Sequence, residues 1–163
     1  MTWIMQREPK EGETCALREH TPFAPKYLRS LFNYTYMKVE QIYTGCIAHA
    51  AYYLESNGEA AIFDPLREVD PYLQKASRNK AQIKYIFETH FHADFVSGHL
   101  DLAKKSGASI VFGPTAQPAY EAIVAEDGQI FKVGDCSVKA IHTPGHTMES
   151  TTYLLMDEAG KEH

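Results

Sequence analysis

The chain has little cysteine: Cys15, Cys46 and Cys136 are its only three, and none belongs to a C-x-x-C pair. An odd number at such wide spacing excludes a disulfide framework and a thiolate metal cluster, and indicates a reducing compartment. Long apolar runs are missing as well. No stretch approaches the ~18 apolar residues of a membrane span, and the N-terminus lacks the apolar core of a signal peptide. Nor is there an excess of positive charge: 16 Lys and Arg face 21 Asp and Glu, a formal net charge of -5. That balance argues against a nucleic-acid surface and against binding to anionic membranes. The absences leave a cytoplasmic protein acting on a small molecule, with neither nucleic acid nor membrane as partner.

What remains is ordinary material for a globular domain. The 163 residues are 44% hydrophobic and 23% charged, enough for one domain with a real core. Residues 1–36 show no sustained period and are broken by Pro9, Pro22 and Pro25, so they read as a poorly ordered N-terminal extension with one short docking turn at Leu28, Leu31 and Phe32. Residues 37–163 form the domain proper. Residues 37–43 alternate apolar and polar, as a half-buried strand does. Asn57-Gly58 supplies the two positive-φ positions of a type I′ hairpin turn between strands at 50–55 and 60–63. A helix at 69–78, a strand at 83–87, a helix carrying Phe95, Val96, Leu100, Leu102 and Ala103 and stopping at Gly107, and a strand at 109–112 follow. Another short helix is expected at 114–125, then strands at 129–133, 137–142 and 151–156. Strands and helices alternate only in the middle, which predicts an α/β fold with one mixed sheet and flanking helices.

The chemistry concentrates in Thr89-His90-Phe91-His92-Ala93-Asp94, three potential metal ligands within five residues where a strand runs out into a loop. Imidazole and carboxylate suit a borderline divalent metal, and a strand end holds such groups rigidly. His146, in the loop Thr143-Pro144-Gly145-His146, adds a distant imidazole on a tight turn after another strand.

These two motifs, T-H-x-H-x-D and P-G-H-T, resemble those of the metallo-β-lactamase fold superfamily in order and separation, and Asp64-Pro65 matches the family layout. The continuation Asp94-Phe95-Val96-Ser97-Gly98-His99 looks most like the persulfide dioxygenase branch, including its rhodanese-associated forms. The resemblance covers about residues 37–161. It implies an αββα sandwich of which this chain supplies the N-terminal half. It also implies Fe(II) as cofactor, held by His90 and His146, with His92 and Asp94 as groups beside the metal that orient ligands or handle protons. The reaction implied is oxidation of a low-molecular-weight persulfide to sulfite. In dinuclear hydrolases resembling glyoxalase II, a histidine that binds a second metal stands where this chain has Phe95, which favours a mononuclear centre here. The alternative is a zinc thioester hydrolase, in which His92 is a direct ligand with His90 and His146. A second alternative is a non-catalytic module completed by a partner or a second copy over an exposed half-core.

The family's third ligand is an aspartate in a Gly-Asp turn after the strand that follows P-G-H-T; Asp157 comes too early for it and reads as the start of a polar turn. Weak metal binding and little or no activity are therefore expected of the 163 residues alone. Among the remaining candidates, His99 reads as a packed or outer helix residue, and His142 as a strand end or a support for the ligands. Asp64 reads as a turn cap or a hydrogen-bond acceptor for a ligand histidine, Cys46 and Cys136 as small buried groups, and His20 and His163 as exposed tail residues.

Overall fold

The computed structural model describes residues 36–45 and 49–163. The expected extension with its docking turn, together with Cys15, His20 and Cys46, lies outside the described residues except for Tyr36. Strand β1 (Lys38–Thr44) pairs antiparallel with β2 (His49–Ser56), and β2 with β3 (Glu59–Phe63). The hairpin turn is the one expected: Asn57 has φ 45° and Gly58 φ 79°. Helix α1 (Asp70–Asn79) has Pro71 in its first turn, where a missing N–H costs nothing, and closes on left-handed Lys80. β4 (Gln82–Phe87) then runs parallel to β3; helix α2 (His99–Ser106) leads to β5 (Ser109–Phe112), parallel to β4, and the short β6 (Ile123–Val124) completes a six-stranded mixed sheet in chain order.

The last three strands do not join it. β7 (Ile130–Val133), β8 (Cys136–His142) and β9 (Thr151–Met156) form a separate antiparallel sheet, so the expected single sheet is supplemented by a second. Both faces of the central strands are consequently covered, and β3 reads as the continuous apolar run such strands require. On one face Ile62, Ile86, Ile110 and Phe112 pack under Tyr72 and Ala76 of α1 and Leu102 of α2. On the other, Ala61, Phe63, Phe87 and Val111 meet Phe131, Val133, Val138 and Ala140 of the second sheet. These are three layers, helices, mixed sheet and second sheet. On β1 and β2, Val39, Tyr43 and Tyr52 share the face of buried Leu54 and are 44%, 54% and 40% exposed.

Two expected helices differ. No helix forms over 114–125: Thr115 takes φ 70°, Pro118 could not donate a helical hydrogen bond, and the segment turns back to place β6 beside β5. α2 starts at His99 rather than near Phe95, because Ser97 bridges to Leu66 and the amide of Gly98 is held by the carbonyl of Pro65 at 2.8 Å. Leu102 is fully buried as expected, while Leu100 faces out. No helix among the described residues is long and apolar enough to cross a membrane.

The β7–β8 turn docks on the first hairpin: the Gly134 amide donates to Glu59 Oε2 (2.8 Å) and the Asp135 amide to Ser56 Oγ (3.3 Å). Gly134 has φ 57°, and a Cβ there would lie 2.0 Å from the Ser56 carbonyl oxygen. Gly134→Ala is therefore expected to lower stability by roughly 2–3 kcal/mol in urea unfolding, through combined strain and displacement of this joint. A loss below about 0.5 kcal/mol would show that the two sheets do not depend on it.

Candidate metal centre

The site lies beyond the carboxyl ends of β3 and β4, the usual place for ligands on a parallel sheet. Asp64 follows β3 in a left-handed conformation (φ 47°) that turns its carboxylate toward the segment leaving β4. There Oδ1 accepts the Thr89 amide (2.7 Å) and lies 3.0 Å from His92 Nε2, while Oδ2 accepts the Thr89 hydroxyl (2.9 Å). A carboxylate can only accept, so His92 Nε2 carries the proton and its Nδ1 keeps a free lone pair. The Thr89 hydroxyl has spent its proton on Asp64, so it accepts from His90 Nδ1 (2.9 Å), which leaves His90 Nε2 free. One carboxylate thus sets the tautomers of two imidazoles.

The structure brings the sequence-predicted residues together. The His90 ring lies 4.1 Å from that of His92 and 4.8 Å, edge-on, from that of His146. Asp94 is the outlying member, 81% exposed, with Oδ1 3.8 Å from His92 Nδ1. Burial, then the neighbouring His92, pushes the His90 pKa down and keeps the ring in the neutral form a metal needs. Asp64 accepts from His92 and Thr89 across the sheet, and its carboxylate makes no hydrogen bond within its own turn among the described residues. His142 ends its strand and reaches the Met148 carbonyl with Nε2 (2.7 Å), bracing the loop that carries His146. His99 is on a packed face: Nε2 is 2.7 Å from the Tyr120 hydroxyl and the ring meets Phe112 edge-on at 5.8 Å. Cys136 is buried, and burial raises its thiol pKa. Asp157 stands at the end of β9 away from the site, its Oδ1 taken by the amides of Ala159 and Lys161 and its Oδ2 by His163.

Sequence reasoning missed three residues. Glu149 is buried and accepts the Phe91 amide with Oε1 (3.0 Å), tying the His146 loop to the His90 loop. Burial opposes its charge, but the Phe91 amide and further hydrogen bonds prevail and hold its pKa low. An acidic residue three positions after His146, just before the strand at 151–156, is the signal that could have found it. His49 opens β2 with both ring nitrogens buried, its ring 4.2 Å from that of Phe95. No periodicity marks it. Glu88, 1% exposed, directly follows the apolar β4 run, an anomaly visible in the sequence. Its Oε1 is 2.7 Å from Ser97 Oγ, and its Oε2 is 3.8 Å from His92 Nε2. Ser97 Oγ is also 3.1 Å from the Pro65 carbonyl, and one hydroxyl proton cannot serve both acceptors, so a protonated Glu88 completes the set. Burial, reinforced by the charge of Asp64, raises the Glu88 pKa well above the ordinary carboxylate value.

Residues 44–153 match the pattern of the metallo-beta-lactamase superfamily. The chain belongs to this family. It is 39% identical over 108 residues to the hydroxyacylglutathione hydrolase of Rhizobium etli, covering 64% of this chain and 41% of that protein. It is 32% identical to a probable hydroxyacylglutathione hydrolase of Schizosaccharomyces pombe, covering 67% and 43%. Among solved structures, a metallo-beta-lactamase from Staphylococcus aureus superposes with TM-score 0.67 at 34% identity, covering 76% of this chain and 39% of that one. ETHE1 from Myxococcus xanthus does so with TM-score 0.68 at 26% identity, covering 73% and 54%. The chain thus spans well under half the length of these curated relatives.

The raised Glu88 pKa has a definite sign. Above the ordinary carboxylate pKa the unfolded chain has lost this proton while the metal-free folded protein keeps it, so stability falls as pH rises through that window up to the raised value. Glu88→Gln is expected to gain stability relative to the parent between pH 5 and pH 8, measured by urea unfolding of metal-free protein. A constant difference across that range would rule out the titration.

Proposed function

We propose that this metallo-beta-lactamase-family protein is a persulfide dioxygenase-like enzyme with a mononuclear iron centre. The observation that carries the reading is Phe95: its ring packs 4.3 Å from that of His92 and 4.2 Å from that of His49, putting hydrocarbon where a dinuclear relative has a metal-binding histidine. His90 and His146 supply two of the three ligands that the resemblance implies for one divalent ion. His90 and His146 would hold it, since their rings adjoin and Thr89 leaves His90 Nε2 free. Bound iron would supply one-electron chemistry with O₂, whereas zinc would supply Lewis acidity and a lowered pKa for water.

The protein's own residues handle position and protons. Conversion of RSSH, O₂ and water to RSH and sulfite oxidises the terminal sulfur, reduces O₂ and releases two protons. His92 Nδ1, with exposed Asp94 beside it, can take up a proton and pass it to solvent. Phe95 covers one side of the His92 ring, and Asp64 with Thr89 fixes the imidazoles before any ligand arrives.

A second reading, zinc-dependent hydrolysis of a glutathione thioester, is favoured by the names of the curated relatives and by the free Nδ1 of His92, which would make it a third ligand. The two are separated by anaerobic reconstitution with Fe(II) or Zn(II), followed by oxygen uptake with glutathione persulfide and thiol release from an acylglutathione. Iron-dependent oxygen uptake with sulfite formation supports the first; zinc-dependent thiol release without oxygen uptake overturns it. Phe95→His is expected to raise bound metal from one toward two ions per chain in elemental analysis, and an unchanged ratio would remove Phe95 as the reason for a single ion. His146→Ala should weaken metal binding at least about 100-fold, because it removes one of the two proposed ligands outright.

A further inference from the structure

Two large apolar side chains project from the loops that carry the candidate ligands. Phe91, between His90 and His92, is 39% exposed, and Met148, two residues after His146, is 71% exposed. Their main chains are nevertheless fixed. The Phe91 amide is bound by Glu149 Oε1 at 3.0 Å, and its ring rests 4.6 Å from that of Phe112. The Met148 carbonyl accepts from the Thr115 hydroxyl at 3.1 Å and lies 2.7 Å from His142 Nε2. The Phe91–Glu149 hydrogen bond joins the two loops, and Phe112 and Thr115, three residues apart, hold the Phe91 ring and the Met148 main chain, so both residues are anchored to one segment beside the loops of His90 and His146.

A single exposed apolar side chain is unremarkable on a protein surface. Two of them beside a polar site, on braced backbone, are a different matter, because the ordering cost of a contact surface has already been met in folding. The rest of the His146 loop, Thr143, Pro144, Gly145, Thr147 and Ser150, offers little apolar surface of its own.

Building on the reading of the site as one for thiol derivatives, we infer that Phe91 and Met148 form an apolar lip that determines specificity. The lip takes a hydrocarbon group attached to the substrate sulfur while that sulfur sits at His90 and His146. The site therefore favours persulfides or thioesters carrying an alkyl or acyl chain over small polar ones. Phe91 offers a ring face on a supported base; Met148 offers an unbranched thioether that adapts to chains of different length.

The test is calorimetric titration of the metal-loaded full chain with S-methyl-, S-butyl- and S-hexylglutathione, which share one polar part and differ only in hydrocarbon. Affinity is expected to rise about two- to threefold per added carbon, somewhat less than full burial of a methylene would give. Phe91→Ser and Met148→Ser should each flatten this dependence while leaving S-methylglutathione within about twofold. Ile130→Ser, on the outer face of the second sheet and 54% exposed, should leave the slope unchanged. The hydrogen bonds at Met148 come from its main chain, so Met148→Ser keeps the fold, and Met148→Gln tests the same point at constant length. Affinity independent of chain length in the parent, or an unchanged slope in both serine variants, overturns the lip and leaves the proposed function standing. Failure of every compound to bind overturns the thiol-derivative reading itself, and the lip with it.

Discussion

The Asp64 carboxylate is the constraint on which the site depends. It sits at the end of one strand, binds the amide and hydroxyl of the residue leaving the next, and meets the second histidine beyond. Each contact is a hydrogen bond to an ion in a largely buried setting, stronger than a neutral pair and sensitive to small displacements. The sheet supplies the precision. β3 and β4 are buried on both faces, so their ends have little freedom, and the left-handed turn at Asp64 converts that rigidity into a fixed direction for the carboxylate. Remove the charge, and the imidazoles lose both their orientation and the proton assignment that leaves their inner nitrogens free.

Around this carboxylate the protein accepts an unusual density of buried polar groups. Glu88 is held in a nearly closed environment, its carbonyl bound by the Tyr153 hydroxyl at 3.0 Å and its carboxyl facing Ser97. His49 contributes two buried ring nitrogens. Groups of this kind cost stability when left unpaired, which stable cores avoid and ligand sites tolerate. They lie at one end of the mixed sheet, near the candidate ligands, while the two apolar clusters run along its faces.

Much of this was legible in the sequence, and the exceptions have physical causes. The Asn57-Gly58 turn, the Gly107 stop and the strand at 151–156 follow from backbone rules that act over a few residues, and the structure has them. The meeting of His90, His92 and His146 was legible because the spacing within each motif is local and because two motifs coincided. The helix expected at 114–125 failed because the pairing of β6 with β5, which no local window contains, outweighed a modest helical pattern interrupted by Pro118. Glu88, Glu149 and His49 escaped for a related reason: their significance lies in burial against residues far away in sequence, and an isolated acid or imidazole carries no period. The separation of β7 to β9 into a second sheet is likewise a matter of tertiary pairing, since their alternation suits either arrangement.

The amide of Thr151, at the start of β9, donates to the carbonyl of Thr89 at 2.9 Å. That bond staples the second sheet to the first at the point where the two histidine loops diverge. His90 belongs to one sheet's rim and His146 to the other's, so their separation measures how the two sheets are seated. The aromatic contacts of Phe87 with Phe131 and Tyr153, at 5.4 and 4.8 Å, act as the bearing between them. If an ion is held between His90 and His146 as proposed, its affinity would gauge sheet alignment: a change deep in the sandwich, touching neither ring, would alter the gap to be spanned.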